Sequence, residues 1–371
     1  MTLLDAAAPD LATHARRTGP VPWGRAIVAD VAAAGLTGRG GAGFPTARKL
    51  AAMGPGGVVI ANGAEGEPAS RKDHTLLTSA PHLVLDGLQL VAEAVGAARV
   101  FCYLSPRSVV AVEAALAERR GWDARPVTLV VAPETFLAGQ ESAVLAAVEG
   151  RRAVPTDRLR PAVHSGYLVH NVETLAHIAQ IARYGPSWFR SRGTPDEPGT
   201  FLTTVGGAVR SPGVYEVPLG TPLPMLLEKA GGAAGRLRVV LVGGYHGAWM
   251  APDVTLSRVA VGTLGAGVVV ALGEEDCGLR VAARITAYLA REGAGQCGPC
   301  RNGLPALAAT LAGVAAGVAD RAPDVARLAA LVEGRGACHH PDGTARFARS
   351  TLTTFAGEIA RHARGDCVAR R

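Results

Sequence analysis

Short apolar runs alternate with longer stretches of helical periodicity through the first half of the chain. Val58–Ala61, Arg99–Leu104 and Val127–Ala132 are almost continuously apolar and stop at Asn62, Ser105 and Pro133, as parallel strands buried on both faces do. Between them, His82–Val95 and Val109–Arg119 repeat apolar residues at helical spacing. A βαβ rhythm is therefore expected to about Tyr184, with Gly185-Pro186 and the polar Ser191–Gly199 as a linker.

The pattern then changes. Thr200–Val205, Val214–Val217, Arg238–Val242 and Gly267–Leu272 read as strands, with Ser211-Pro212-Gly213 as a turn. A helix starts near Pro222 and stops at Gly231-Gly232, which makes a compact β-rich module with one helix. Val259–Leu272 is the longest apolar stretch but contains Gly262, Gly265 and Gly267, so it reads as a buried strand pair with a turn. It falls short of the roughly 20 residues a spanning helix needs. The last ninety or so residues are helical: Val281, Ile285, Tyr288 and Leu289 share a face, as do Leu304, Leu307 and Leu311. Val325, Leu328 and Leu331, then Leu352, Phe355 and Ile359, complete four amphipathic segments of a small bundle.

Composition supports this picture. In 371 residues, 48% are hydrophobic, enough for two or three buried cores, and 47 glycines with 24 prolines suit α/β architecture rich in tight turns. A net charge of +7 could suggest nucleic acid, but the arginines are scattered and form no basic run, so nucleic-acid binding is not expected. Met1–Arg17 carries Asp5 and Asp10 and has no apolar core, which speaks against a secretory signal. Clustered cysteines without a targeting signal favour a reducing cytoplasm and metal binding over disulfides.

Two segments carry candidate chemistry. In Gly38-Arg39-Gly40-Gly41-Ala42-Gly43-Phe44-Pro45-Thr46 the glycines let backbone approach a ligand, and Lys49 follows within one helical turn. Such a loop can cradle a phosphate or simply connect two elements. Asn62-Gly63-Ala64-Glu65-Gly66-Glu67-Pro68 directly follows the first strand, where α/β folds place ligands. Asn62 can donate and accept hydrogen bonds at a ring edge, and Glu65 and Glu67 can accept them from ribose hydroxyls; a solvated acidic loop is the plain alternative.

Together these segments resemble the NADH-oxidising flavoprotein (51 kDa or F-type) family of respiratory complex I. Four later segments resemble it in the same order: Gly139-Gln140-Glu141-Ser142-Ala143, His170-Asn171-Val172-Glu173-Thr174-Leu175, Gly206–Gly220, and Gly295-Gln296-Cys297-Gly298-Pro299-Cys300-Arg301. The resemblance implies a Rossmann-like FMN- and NADH-binding parallel-sheet domain over 1–190, a β-grasp (soluble-ligand-binding) domain over 198–273, and a four-helix iron–sulfur domain over 278–365. It implies FMN phosphate on Gly38, Arg39, Gly40, Gly41, Gly43 and Lys49, and the flavin ring near Asn62, Glu65 and Asn171. Phe44 would stack on the nicotinamide, Glu65, Glu67 and Glu141 would shape its site, and His170 would keep the hydrogen-bonding capacity of the asparagine it replaces. Hydride from NADH or NADPH would pass to FMN, then as single electrons to a 4Fe-4S cluster. The acceptor would be a ferredoxin-like or thioredoxin-fold iron–sulfur protein, or a larger, quinone-linked redox complex.

The chain also departs from that family. Ala294 stands where the first cluster cysteine is expected, leaving Cys297, Cys300 and the distant Cys338. Cys338 precedes His339-His340-Pro341, so His340, then His339, is the expected fourth ligand on a loop that Pro341 and Gly343 keep non-helical. A three-iron cluster, a zinc site and a bare remnant are the alternatives. Cys277 reads as a non-ligand position; Cys102 and Cys367 read as core and tail. Ala64 and Gln140 replace acidic residues, and Arg158, Arg160 and His164 stand where a lysine and an aromatic are expected, which leaves NADH and NADPH both open. A carrier without nicotinamide activity and a scaffold with decayed redox sites are the competing functions.

Overall fold

The computed structural model describes residues 2–156, 161–252, 265–367 and 369. Helices α1 (Leu11–Thr18), α2 (Ile27–Ala34) and α3 (Thr46–Ala51) lead into β1 (Val58–Gly63), α4 (Lys72–Ser79) and α5 (Pro81–Ala94). There follow β2 (Arg99–Leu104), α6 (Pro106–Glu118), β3 (Val127–Val131), α7 (Glu141–Val148), β4 (Tyr167–Asn171) and α8 (Val172–Tyr184). The four strands form one parallel sheet in the order β3-β2-β1-β4. Alternate side chains feed two cores: Val59, Ala61, Val100, Cys102 and Leu104 face α5 and α8, while Val58, Ile60, Phe101 and Tyr103 face α7. Burial on both faces is why these strands read as unbroken apolar runs. Helices α5 and α8 cross so closely that a Cβ on Gly87 would lie 1.9 Å from the Leu175 carbonyl oxygen.

The expected linker is partly a helix, α9 (Pro186–Arg190), anchored by buried Phe189. The second sheet holds β5 (Thr200–Gly207), β6 (Gly213–Pro218), β7 (Leu237–Val242), β8 (Ala248–Met250) and β9 (Val268–Gly273) in the order β6-β5-β9-β7-β8. Helix α10 (Leu223–Lys229) covers one face with Leu223, Leu226 and Leu227, against Val240, Val242, Val269 and Ala271. The other face, through Val239, Leu241, Trp249 and Leu272, packs on the C-terminal helices. Of the expected strand pair Val259–Leu272, residues 259–264 lie outside the described residues.

Those helices are α11 (Gly278–Arg291), α12 (Leu304–Ala315), α13 (Ala322–Val332), α14 (His340–Thr354) and α15 (Ala356–His362). The buried face of α13 is Val325, Ala329 and Val332, and Leu331 is exposed. A three-residue step drifts off the stripe that 3.6 residues per turn keeps inside. The expected loop around His340 is also corrected. Helix α14 begins at His340 with Pro341 in its first turn, where the missing N–H and fixed φ of proline favour a helix start.

Candidate functional site

The carboxyl edge of the first sheet gathers most of the candidate residues. Asn62 and Asn171 end the adjacent strands β1 and β4 in direct register, with His170 opposite Ala61. The glycine loop is pinched shut at its base, where Thr37 bridges Pro45 and the Gly38 amide donates to the Phe44 carbonyl at 2.9 Å. Gly41 and Gly43 hold φ of +99° and +62°, in a region where a side chain would be strained. A Cβ on Gly41 would also stand 3.1 Å from the Gly265 carbonyl oxygen.

Arg39 turns inward and is 4% exposed. Its Nε donates to the Thr200 carbonyl at 3.1 Å and Nη1 to Thr37, while Nη2 has no partner among the described residues. Burial lowers the guanidinium to about 10. Phe44 stays 47% exposed with the Arg48 guanidinium over its ring. Lys49, on α3, donates to Glu141 at 2.5 Å and to the Val169 carbonyl at 3.1 Å. The structure thus joins two residues that the sequence assigns to opposite sides of the site. His170 is buried and neutral: desolvation, then the Lys49 charge, lowers its imidazole to about 3, and its Nε2 has no partner among the described residues.

The two asparagines sit in a network. Asn62 donates to the Gly139 carbonyl at 2.9 Å, and Asn171 donates to Asp73 at 2.7 Å. Lys72 escapes sequence reasoning. It is buried and donates to Asp73 at 2.7 Å, to Glu173 at 3.0 Å and to Asn171 at 3.2 Å. Burial works against its ammonium, but Asp73 and Glu173 outweigh it and keep it protonated. One lysine between two carboxylates leaves them unequal. Burial pushes Asp73 up to about 6, while the Lys72 charge and His177 overcome burial and hold Glu173 at about 2. A narrow cavity between this lysine and the glycine loop is lined by Arg39, Lys72, Glu173, Phe201 and Gly265.

The acidic segment is more structural than its sequence suggests. Glu65 accepts from Ser70 Oγ at 2.6 Å and from the Asp73 and His74 amides, which ties it to the first turn of α4. Glu67 accepts from the Tyr245 amide at 2.9 Å across to the second sheet, and burial pushes its carboxyl up to about 7. Gln140 caps α7 by accepting from the Ser142 and Ala143 amides. His164 is exposed, and Arg158 and Arg160 lie outside the described residues.

At the far end of α11 the thiols converge. Cys297 and Cys300 lie on a loop that winds through a wide turn, Pro299–Gly303, into α12. Burial acts to raise the Cys297 thiol, but the Cys300 and Ala337 amides outweigh it and hold it below the usual thiol range. The Ala337 contact brings the Cys338 loop alongside. Burial, then the Cys297 thiol, pushes Cys300 up to about 12, with Cys338 adding to the rise. Among the described residues these three sulfurs do not close to within 4.8 Å of one another.

Neither histidine joins them. His340 donates from Nε2 to the Leu289 carbonyl at 2.8 Å, and its Nδ1 meets His246 Nε2 at 3.1 Å. Both ring nitrogens are thus engaged, and the ring packs beside Phe136. His339 points outward, its side chain 75% exposed, and pairs with Asp342 at 3.2 Å. His340, expected as the fourth ligand, here ties the start of α14 to α11 and to the second sheet.

These features fit the groups they suggest. The glycine cradle, the orphaned Arg39 Nη2 and His170 Nε2, and Lys49 near His170 offer donors suited to an anion and a ring edge, and the thiols are ligands of the kind a cluster takes. Together they define a flavin and iron–sulfur electron-transfer protein. Residues 31–180 match the Nuo51 FMN-binding domain, residues 202–244 the SLBB domain, and residues 280–362 the NADH-ubiquinone oxidoreductase-F iron-sulfur binding region. The second F-type subunit of NADH-quinone oxidoreductase from Rhizobium meliloti is 33% identical, covering 91% of this chain and 88% of that protein. The F-type subunit from Streptomyces coelicolor is 34% identical, covering 91% and 83%. The chain belongs to the family of F-type subunits of NADH-quinone oxidoreductase, and is an oxidoreductase of the NADH-dehydrogenase type. Among solved structures it is similar to a chain of an NAD+-reducing NiFe-hydrogenase in the H2-reduced state, with a TM-score of 0.84, 28% identity and 93% of this chain covered. The chain spans 65% of that hydrogenase chain. No helix among the described residues is long and apolar enough to cross a membrane.

Proposed function

We propose that the chain oxidises NADH or NADPH and delivers the electrons singly to a ferredoxin-like or thioredoxin-fold iron–sulfur partner within a larger redox complex, on the cytoplasmic side. FMN, when bound, supplies the conversion of a hydride into single electrons, and a 4Fe-4S cluster supplies their exit. The observation that carries this reading is the convergence of the glycine loop, Lys49, Asn62, His170 and Asn171 on one sheet edge, in a chain whose three regions all match the family.

Gly38, Arg39, Gly40, Gly41, Gly43 and Lys49 would hold the phosphate, and Lys49 must share or release Glu141 to do so. Asn62, Glu65, His170 and Asn171 would line the ring edge, with Asn171 held in place by Lys72 and Asp73. Phe44 offers an exposed aromatic face to a nicotinamide, with Glu67 and Glu141 nearby in the sequence-derived site. Cys297, Cys300 and Cys338 would hold three corners of the cluster. Ala294 leaves the fourth corner without a thiol from the loop.

Anaerobic mixing with each nucleotide tests the proposal. NADH or NADPH should bleach the flavin absorbance. Bleaching by dithionite but by neither nucleotide would replace a dehydrogenase with a carrier.

A further inference from the structure

A second group of soft ligands lies at the opposite end of α11 from the cluster loop. Cys277 caps the start of that helix, His362 ends α15, and Cys367 lies in the segment that follows. Helix α11 runs 14 residues, so roughly 20 Å separates its two ends. One ligand atom from each of Cys277, His362 and Cys367 lies within 4.8 Å of the other two. The Cys277 sulfur is 3.4 Å from His362 Nε2. A tetrahedral zinc with Zn–S near 2.3 Å and Zn–N near 2.0 Å sets ligand edges of about 3.5 Å. The trio needs only a small contraction to reach them.

The surroundings are those of a built metal site. His362 Nδ1 faces the Ala315 carbonyl at 2.8 Å, so the proton sits on Nδ1 and the Nε2 lone pair points at Cys277. Orientation of a ligating imidazole by a carbonyl is the usual outer-shell arrangement. Cys277 and His362 are 4% and 8% exposed. The loop after α12 closes on the histidine: a Cβ on Gly317 would lie 2.7 Å from the His362 carbonyl oxygen. Glu358 is buried nearby, with one oxygen engaged by Arg238 and the other 4.0 Å from the Cys277 sulfur. Glu358 also lines an open groove with Arg238, Thr354, Gly357 and Arg361.

We propose that Cys277, His362 and Cys367, with Glu358 as fourth ligand, form a structural zinc site that fastens the segment after α15 to the start of α11. Binding deprotonates both thiols and releases two protons. Two thiolates, one carboxylate and a neutral imidazole around a divalent ion leave one negative charge, which Arg238 faces. Thiolate with imidazole selects zinc over the hard cations, and the lack of redox chemistry suits a site remote from the electron path.

The test uses the full chain, expressed with zinc and iron and purified without oxygen. Metal analysis after dialysis against a mild chelator should find about one zinc per chain, and absorption at the zinc edge should show two sulfurs near 2.3 Å and lighter ligands near 2.0 Å. Cys367→Ser, which lies outside every helix core, should lose that zinc and keep its iron and sulfide. Cys297→Ser should do the reverse, which separates this site from failure of the cluster reading. The proposal is overturned if the wild type lacks stoichiometric zinc, if Cys367→Ser retains it, if the edge reports three or more sulfurs, or if peptide mapping finds a Cys277–Cys367 disulfide.

Discussion

The sheet edge and the thiol loops are built by opposite means. At the sheet edge each polar side chain is held by several others: Asn171 touches Lys72 and Asp73, Lys72 touches Glu173, and Lys49 touches Glu141. These groups converge before any ligand arrives, and each lysine among them already faces a carboxylate. At the loops, Cys300 sits in apolar surroundings that push its thiol towards the neutral form, while amides hold Cys297 below the usual thiol range. A Cys300 thiolate there calls for a cation. The first region is preorganised; the second depends on its metal for charge balance.

The largest expected effect tests the second region. Replacing Cys297, Cys300 or Cys338 by Ser should reduce iron and acid-labile sulfide to background, while FMN affinity by fluorescence titration stays unchanged. Loss of both would mean that the regions are not independent. Next comes Lys72→Ala, which strands Asp73 and Glu173 as buried carboxylates without their cation. Breaking a buried pair this way costs about 3–5 kcal/mol. Urea unfolding should show that loss, and a change within error would contradict the preorganised edge.

Glu67 gives a pH-dependent test. Its folded-state carboxyl is raised from 4.5 to about 7, so folding favours the protonated form. That contribution is complete below the unfolded value of 4.5 and disappears as pH climbs through about 7. Glu67→Gln should be more stable than wild type by about 3 kcal/mol above pH 7, with no difference near pH 4.5, in parallel denaturant melts. The smallest effect is Lys49→Ala, which should weaken FMN binding by about 1.5–3 kcal/mol as one charge-assisted contact is lost. Unchanged affinity would place the phosphate elsewhere.

What is legible in the sequence follows the range of the physics involved. Strands β1, β2 and β3 and the helices between them announce themselves because burial on both faces makes apolar runs. Strand β4 does not, since Tyr167–Asn171 is short and ends in His170 and Asn171. Strand β8 has only three residues, too few for a period. Lys72 stands in a polar Ser-Arg-Lys-Asp-His run with no pattern to mark it; its burial goes with Glu173, a partner about a hundred positions away. His340 misleads because proline reads equally as a helix breaker and a helix starter. Cys277 and Cys367 read as separate leftovers, since only the fold brings the start of α11 beside the end of α15 and the segment after it.

The most direct test of two differently built sites serving one electron path is electron paramagnetic resonance after anaerobic reduction with NADH or NADPH. Wild type and His340→Ala should both develop the same reduced-cluster signal once the flavin is bleached, and Cys338→Ser should bleach without it. A bleached flavin with a silent cluster in wild type, or a signal altered by His340→Ala, would contradict the account.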